Sequence, residues 1–294
     1  MPNAINYATK YQNELDQVLV QQALSAELET PQVNWLNAKS FQVPSVSVTG
    51  YKPHSRNGGF NRGDVDVTHE VYTLGFDRDI EFFVDQADVD ESAQAASAAN
   101  ITRTFTTEHS APEMDAYRFS KLATKAVAES NTAEAALTKS TVYGALKAAI
   151  LPLRKYGPAN IVVYVSSEVM DLLEQADNFT RQITVQGGGP GVLESRITAI
   201  DGVRLVEVWD AARFHTAFDF TEGFVPAIGA KAINFLIVAK PAIIAKAKIA
   251  SIYLFQPGQH TEGDGYLYQN RLYHDLFVMK NKADGVFVHT KPAA

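Results

Sequence analysis

None of the chain's 294 residues is a cysteine. That excludes a disulfide framework and any thiolate metal site or nucleophile. Basic residues are in the minority, 26 Lys plus Arg against 33 Asp plus Glu for a net charge of −7, so no global positive field draws in nucleic acid. Any contact with DNA must be local or weak. Long apolar runs are also missing: the longest fall well short of the ~20 residues a membrane-spanning helix needs. The opening stretch MPNAINYATKYQNELDQVLV has no apolar core of the secretory kind.

The usual catalytic patterns are missing too. The seven histidines stand apart, with no HExxH, and no serine lies in GxSxG. GFVPAIGAKA, Gly223 to Ala232, is not a phosphate loop: five residues separate its glycines, Ala230 is inserted, and no Ser or Thr follows Lys231. GGGPG, Gly187 to Gly191, could present amides to an anion, but no helix start follows to add a dipole, so it reads as a loop. In YHD, Tyr273 to Asp275, a base adjoins an acid, but neighbours on a strand point to opposite faces, which favours a structural role.

What the chain does have is apolar content, 46%, enough for a sizeable core in one or two domains. Its most unusual stretch is GYKPHSRNGGFNRGDVDVTHEVYTL, Gly50 to Leu74. Val46 and Val48 lead in and Val65, Val67, His69 and Val71 lead out with strand alternation, around a tip from Tyr51 to Gly63 that has almost nothing to build a core. Ordering such a tip costs roughly 1–2 kcal/mol per residue, and an isolated hairpin is marginal in water. It is therefore either a floppy loop or an arm held by another chain.

FDRDIEFFVDQADVDES follows, Phe76 to Ser92. As a strand it places Asp77, Asp79 and Glu81 on one face and Arg78, Ile80 and Phe82 on the other, so the acidic face suits a cation or a basic partner. Calcium-loop spacing is missing, as is the glycine at its turn. Asp88 and Glu91 fit a capping box opening an alanine-rich helix to about His109. Ser110, Pro112 and Glu113 offer a second helix start, and one long helical column kinked near Pro112 is the expected product. Further on, STVYGALKAAILPLRKYG is a helix disturbed at Pro152 and ended by Gly157. NIVVYVSSEVMDLLEQA is a strand at Ile161 to Val165 and then a Ser-capped helix, Ser167 to Ala176. VRLVEV, INFLIVA, KIASIYLF and GVFVH are strand-like, so the pattern is α+β rather than a βαβ series. The first thirty residues are polar and helical in flavour, with Val18, Leu19, Leu24 and Leu28 as their greasy positions.

The hairpin with its acidic continuation, the APEMDAYRFSKLA helix and the C-terminal YQNRLYHDLFVMKNKADGVFVHT together resemble the major capsid proteins of tailed bacteriophages of Gram-positive hosts. The resemblance implies an α+β Hong Kong 97-like capsid fold. Its parts would be an N-terminal arm (1–40), an E-loop hairpin (41–87), a spine helix with part of the P domain (88–156), an A domain (157–248), returning P-domain strands (249–280) and an A-domain terminal segment (281–294). It implies a virion shell protein, assembled in the host bacterial cytoplasm, that partners itself in hexamers and pentamers and also meets portal and scaffolding proteins. The shell would enclose double-stranded DNA without sequence-specific binding. The resemblance implies no catalytic residue, no cofactor and no metal, and no membrane. A fused scaffold is not expected, because no long charged helical prefix precedes the arm.

On this reading Tyr51, His54, Arg56, Asn57, Gly58, Gly59, Phe60, Arg62 and Gly63 of the E-loop touch a neighbouring subunit. About a dozen residues per flank would give a reach on the order of 40 Å. Arg56 and Arg62 would face acidic ground, for which Asp77, Asp79 and Glu81 are the candidates. Two other readings stay open: an encapsulin-like compartment of the same fold, and a metal-dependent hydrolase built on the carboxylates between Asp77 and Glu91.

Overall fold

Two stretches, IVVYVS at 161–166 and INFLIVA at 233–239, are apolar at nearly every position, and a strand of that kind must be buried on both faces. A sheet with layers on both sides follows from that composition alone. The computed structural model describes residues 23–30, 35–37, 39–54, 58, 60–91, 98–176 and 199–292, with backbone only within 90–99.

In chain order, a 3-10 turn at Leu24–Leu28 precedes β1 (Ser40–Val48), β2 (Val65–Thr73) and β3 (Phe76–Asp85). Helices α1 (Gln86–Glu91), α2 (Ala98–Phe105) and α3 (Ala111–Ala128) come next, then β4 (Thr132–Glu134) and α4 (Val142–Ile150). The chain continues through β5 (Ile161–Ser166), α5 (Ser167–Glu174), β6 (Ala199–Ile200), β7 (Val203–Val208), β8 (Phe218–Asp219) and β9 (Val225–Pro226). It finishes with β10 (Ile233–Ala239), β11 (Ile243–Phe255), β12 (Gly265–Val278) and β13 (Val286–Thr290).

The two wholly apolar segments, β5 and β10, are central in a six-stranded mixed sheet of order β4-β13-β10-β5-β7-β6. Alternate residues go to opposite sides. Val163, Val165, Phe235 and Ile237 join Leu146, Ile150 and Leu173 of α4 and α5, whereas Val162, Tyr164, Leu236 and Val238 meet Phe119, Leu122 and Ala126 of α3. A second sheet, β11-β12-β3, is antiparallel throughout. β1 and β2 form a separate two-stranded ribbon.

The helical column departs from its expected starts. α1 opens two residues before Asp88, with Asp85 Oδ1 accepting the Ala87 N–H at 2.9 Å, so Asp88 lies within the helix instead of capping it. Two carboxylates three residues apart compete for one cap, and the strand end decides between them. Ser110 is not a cap either: its backbone is helical (φ −65°, ψ −46°) and its side chain makes no capping bond. The chain passes from α2 into α3 through one π-helical turn, Thr106–Ser110, in which Ala111 N–H donates to Thr106 O. Pro112 has no N–H to give, and the wider turn accommodates it without ending the helix. Pro152 acts as expected: α4 gives way to a 3-10 turn at Leu151–Tyr156, closed by Gly157 at φ 88°. Ser166 caps α5, accepting from Val169 N–H.

Candidate assembly interface

Cross-strand register puts four valines on one face of the β1–β2 ribbon, because Val46 pairs with Val67 and Val48 with Val65. Pro44, paired with His69, and Gln42, paired with Val71, extend that face toward the base. The base is anchored: Phe41 is fully buried among Leu74, Ile244 and Tyr273, stacked on Tyr72 at 5.6 Å and edge-on to Phe277. The Tyr273 hydroxyl donates to Leu74 O at 2.9 Å. Farther out the ribbon has no cover, and Val46, Val48, Val65 and Val67 are between 51% and 70% exposed. Nine-residue strands give a reach of ~30 Å, with the tip beyond.

The tip is folded by polar bonds, with no core of its own. Thr49 and Asp64 close the ladder, Thr49 N–H donating to Asp64 O at 3.1 Å and Asp64 N–H to Thr49 Oγ1 at 3.0 Å. A Cβ on Gly63 would come within 2.7 Å of that same hydroxyl, so the close approach needs glycine here. Lys52 Nζ donates to Arg62 O at 3.2 Å, and Asn61 Nδ2 to Pro53 O at 2.8 Å. Tyr51 and Phe60 project wholly into solvent at 109% and 96% exposure, and His54 and Gly58 are exposed as well. Arg56, Asn57 and Gly59 lie outside the described residues, as do the GGGPG segment and residues 1–22.

Asp77, Asp79 and Glu81 do share one exposed face of β3, but their circumstances differ. Arg271 grips Asp77 with two hydrogen bonds, Nε at 3.0 Å and Nη2 at 2.7 Å, and the first of its effects is to hold that carboxyl below the usual range. Glu81 accepts from Gln269 at 2.6 Å. Asp79 has no ion pair among the described residues. No three His, Asp or Glu side chains among the described residues converge as a metal site requires.

Sequence reasoning missed the groups that brace this face from behind. Arg78 Nε donates to Glu113 at 2.8 Å, tying β3 to α3, and burial pushes the Glu113 carboxyl up. Asp275 accepts from Gly75 N–H and from the Tyr117 hydroxyl, each at 2.9 Å, and from Lys121, locking the β2–β3 turn, β12 and α3 together. His274 makes no dyad with Asp275: it is fully buried against Phe76 and Tyr117, and neither ring nitrogen has a partner. Both YHD residues reach α3, contrary to the expectation of opposite faces, and they serve packing. The missed signal was Asp115 and Arg118, charges set on the apolar stripe of α3.

No family model matches the chain, and no curated protein does. Solved structures do. A capsid structure of the cyanophage P-SCSP1u superposes with a TM-score of 0.71 over 98% of this chain and 94% of that one, at 12% identity. The mature capsid of bacteriophage PhiM1 gives 0.68 at 11% identity, covering 98% and 93%. The chain has a phage capsid fold. A structure from Mycobacterium phage Che8 matches at 0.63 and 16% identity over 98% of both chains. The capsid fold thus accounts for the chain from end to end, projecting ribbon included. Among the described residues no helix is long and apolar enough to cross a membrane.

Proposed function

We propose that the protein is the major capsid protein of a tailed bacteriophage, assembling with itself into an icosahedral head shell around double-stranded DNA. The observation that carries this is the whole-length match to capsid structures, 98% of this chain against 94% of its cyanophage counterpart. The uncovered valine face of the ribbon supports it, because a one-sided two-stranded ribbon gains stability only when another surface covers it.

In this reading residues 1–40 are the N-terminal arm, the ribbon is the E-loop and the helices from α1 to α3 are the spine. The sheet β11-β12-β3 belongs to the P domain and the six-stranded sheet to the A domain. The tip rests on an adjacent copy, with Arg56 and Arg62 facing the acidic side of β3. Portal and scaffolding proteins are the further partners, the virion is the destination and the host cytoplasm the place of assembly. The role is structural, with no substrate turned over.

The test is to express the chain, with its phage's scaffolding protein where it needs one, and to image the product by electron microscopy. Virions are then treated with nuclease. Closed shells holding nuclease-protected DNA are expected; dispersed subunits under both conditions contradict the proposal, and shells holding protein cargo in place of DNA would turn it toward a compartment.

A further inference from the structure

Beside the acidic face of β3 lies a cleft of about 310 Å³ between β3, β12 and the helical column, at the π-helical turn. Its walls are apolar and largely aromatic: Phe76, Ile80, Phe82, Phe105, Met114 and Leu272. The polar groups in it, Arg78 and Glu113, already satisfy each other. Asp79 stands at its rim, on the free edge of β3, with no ion pair among the described residues. The cleft is at the small end of the range for binding pockets, suited to one aromatic side chain.

The hairpin tip has the matching pieces. Phe60 is fully exposed, and Arg62, two residues on, has no ion pair among the described residues. An extended backbone presents residues i and i+2 on the same side, ~7 Å apart. We propose that Phe60 of an adjacent copy fills this cleft while Arg62 of the same tip pairs with Asp79 at its rim. The inference rests on the reading that the ribbon lies on a neighbour, and it names the receptor. Phenylalanine suits apolar walls whose hydrogen-bonding groups are spoken for, whereas a tyrosine hydroxyl would need a partner of its own. Two charges unpaired in the free subunit supply the register of the contact.

Charge exchange tests it. Arg62→Glu and Asp79→Arg each place like charges together, and each is expected to lower particle yield by about tenfold or more, while the double variant recovers most of it. Circular dichroism of the unassembled subunits should be unchanged, since both side chains are exposed. A benzophenone amino acid at position 60 should crosslink, in assembled particles, to peptides containing residues 76–82 or 105–114. The same probe at position 51 should not. Particles that form normally with Arg62→Glu, a double variant no better than the singles, or crosslinks from position 60 elsewhere would overturn the plug while leaving the shell reading standing. Failure of the unaltered chain to form particles would instead sink the shell reading.

Discussion

Asp115 and Arg213 form an ion pair at 3.1 Å in which both side chains are wholly buried. Asp115 also accepts the N–H groups of Leu24 and Ser25, at 2.9 and 2.8 Å, and neighbouring Arg118 donates to Ser25 O at 2.9 Å. Helix α3 therefore clamps the end of the N-terminal segment as well as packing on the large sheet. Asp115→Asn leaves a guanidinium buried without its counter-charge and should cost about 3–5 kcal/mol. Urea unfolding of the subunit measures this, and a loss under 1 kcal/mol would mean that water reaches the site.

His274 sets an acid limit. Burial, ahead of the charges of Arg118 and Lys121, lowers its pKa from 6.5 to about 3. The unfolded chain takes up a proton below pH 6.5 and the folded chain does not until about pH 3, so this residue's share of stability is full above 6.5 and drains away as pH falls toward 3. His274→Phe removes a buried ring with two unpartnered nitrogens and suits the Phe76 and Tyr117 surroundings. Thermal melts should show equal or greater stability than the parent at pH 7 and a flatter decline between 6.5 and 3. An unchanged acid slope would assign the sensitivity to carboxylates.

Deleting Tyr51 to Gly63 and joining the strands with a short turn should leave a folded subunit, because the ribbon is anchored at Phe41 and Leu74 and not at its tip. The melting temperature should move little while particle yield collapses. Unfolding on deletion would place the tip in the subunit's own core.

Some capsids of this fold are joined covalently through an E-loop lysine. In this hairpin the candidate is Lys52, whose Nζ donates to Arg62 O at an exposed site, unlike the desolvated amine such chemistry needs. Particles boiled in detergent should run as a single band near 32 kDa. A ladder that vanishes in Lys52→Arg would show a bond of this kind.

Much of this fold can be read locally. Apolar runs mark β5 and β10, alternation marks the ribbon, and Pro152 and Gly157 end a helix where their backbone chemistry says they must. The misreadings share a cause. Asp85 and Asp88 carry the same carboxylate, and Ser110 with Pro112 looks alike at a helix start and at a π-helical turn, so only the three-dimensional path separates them. The braces behind the interface were invisible for a different reason: Asp115 meets Ser25 across 90 positions and Asp275 meets Lys121 across 154, distances over which no periodicity carries information. Asp79 and Arg62 are an intermediate case, since their types suggested a contact and only the folded subunit shows which carboxylates are already engaged.

The most direct test of the account is a reconstruction, by electron cryomicroscopy, of the particle this chain forms. It should show a closed icosahedral shell in which residues 49–64 of each subunit extend over an adjacent copy. A ribbon folded back on its own subunit, or a subunit that builds no closed shell with its phage's own assembly partners present, would contradict it.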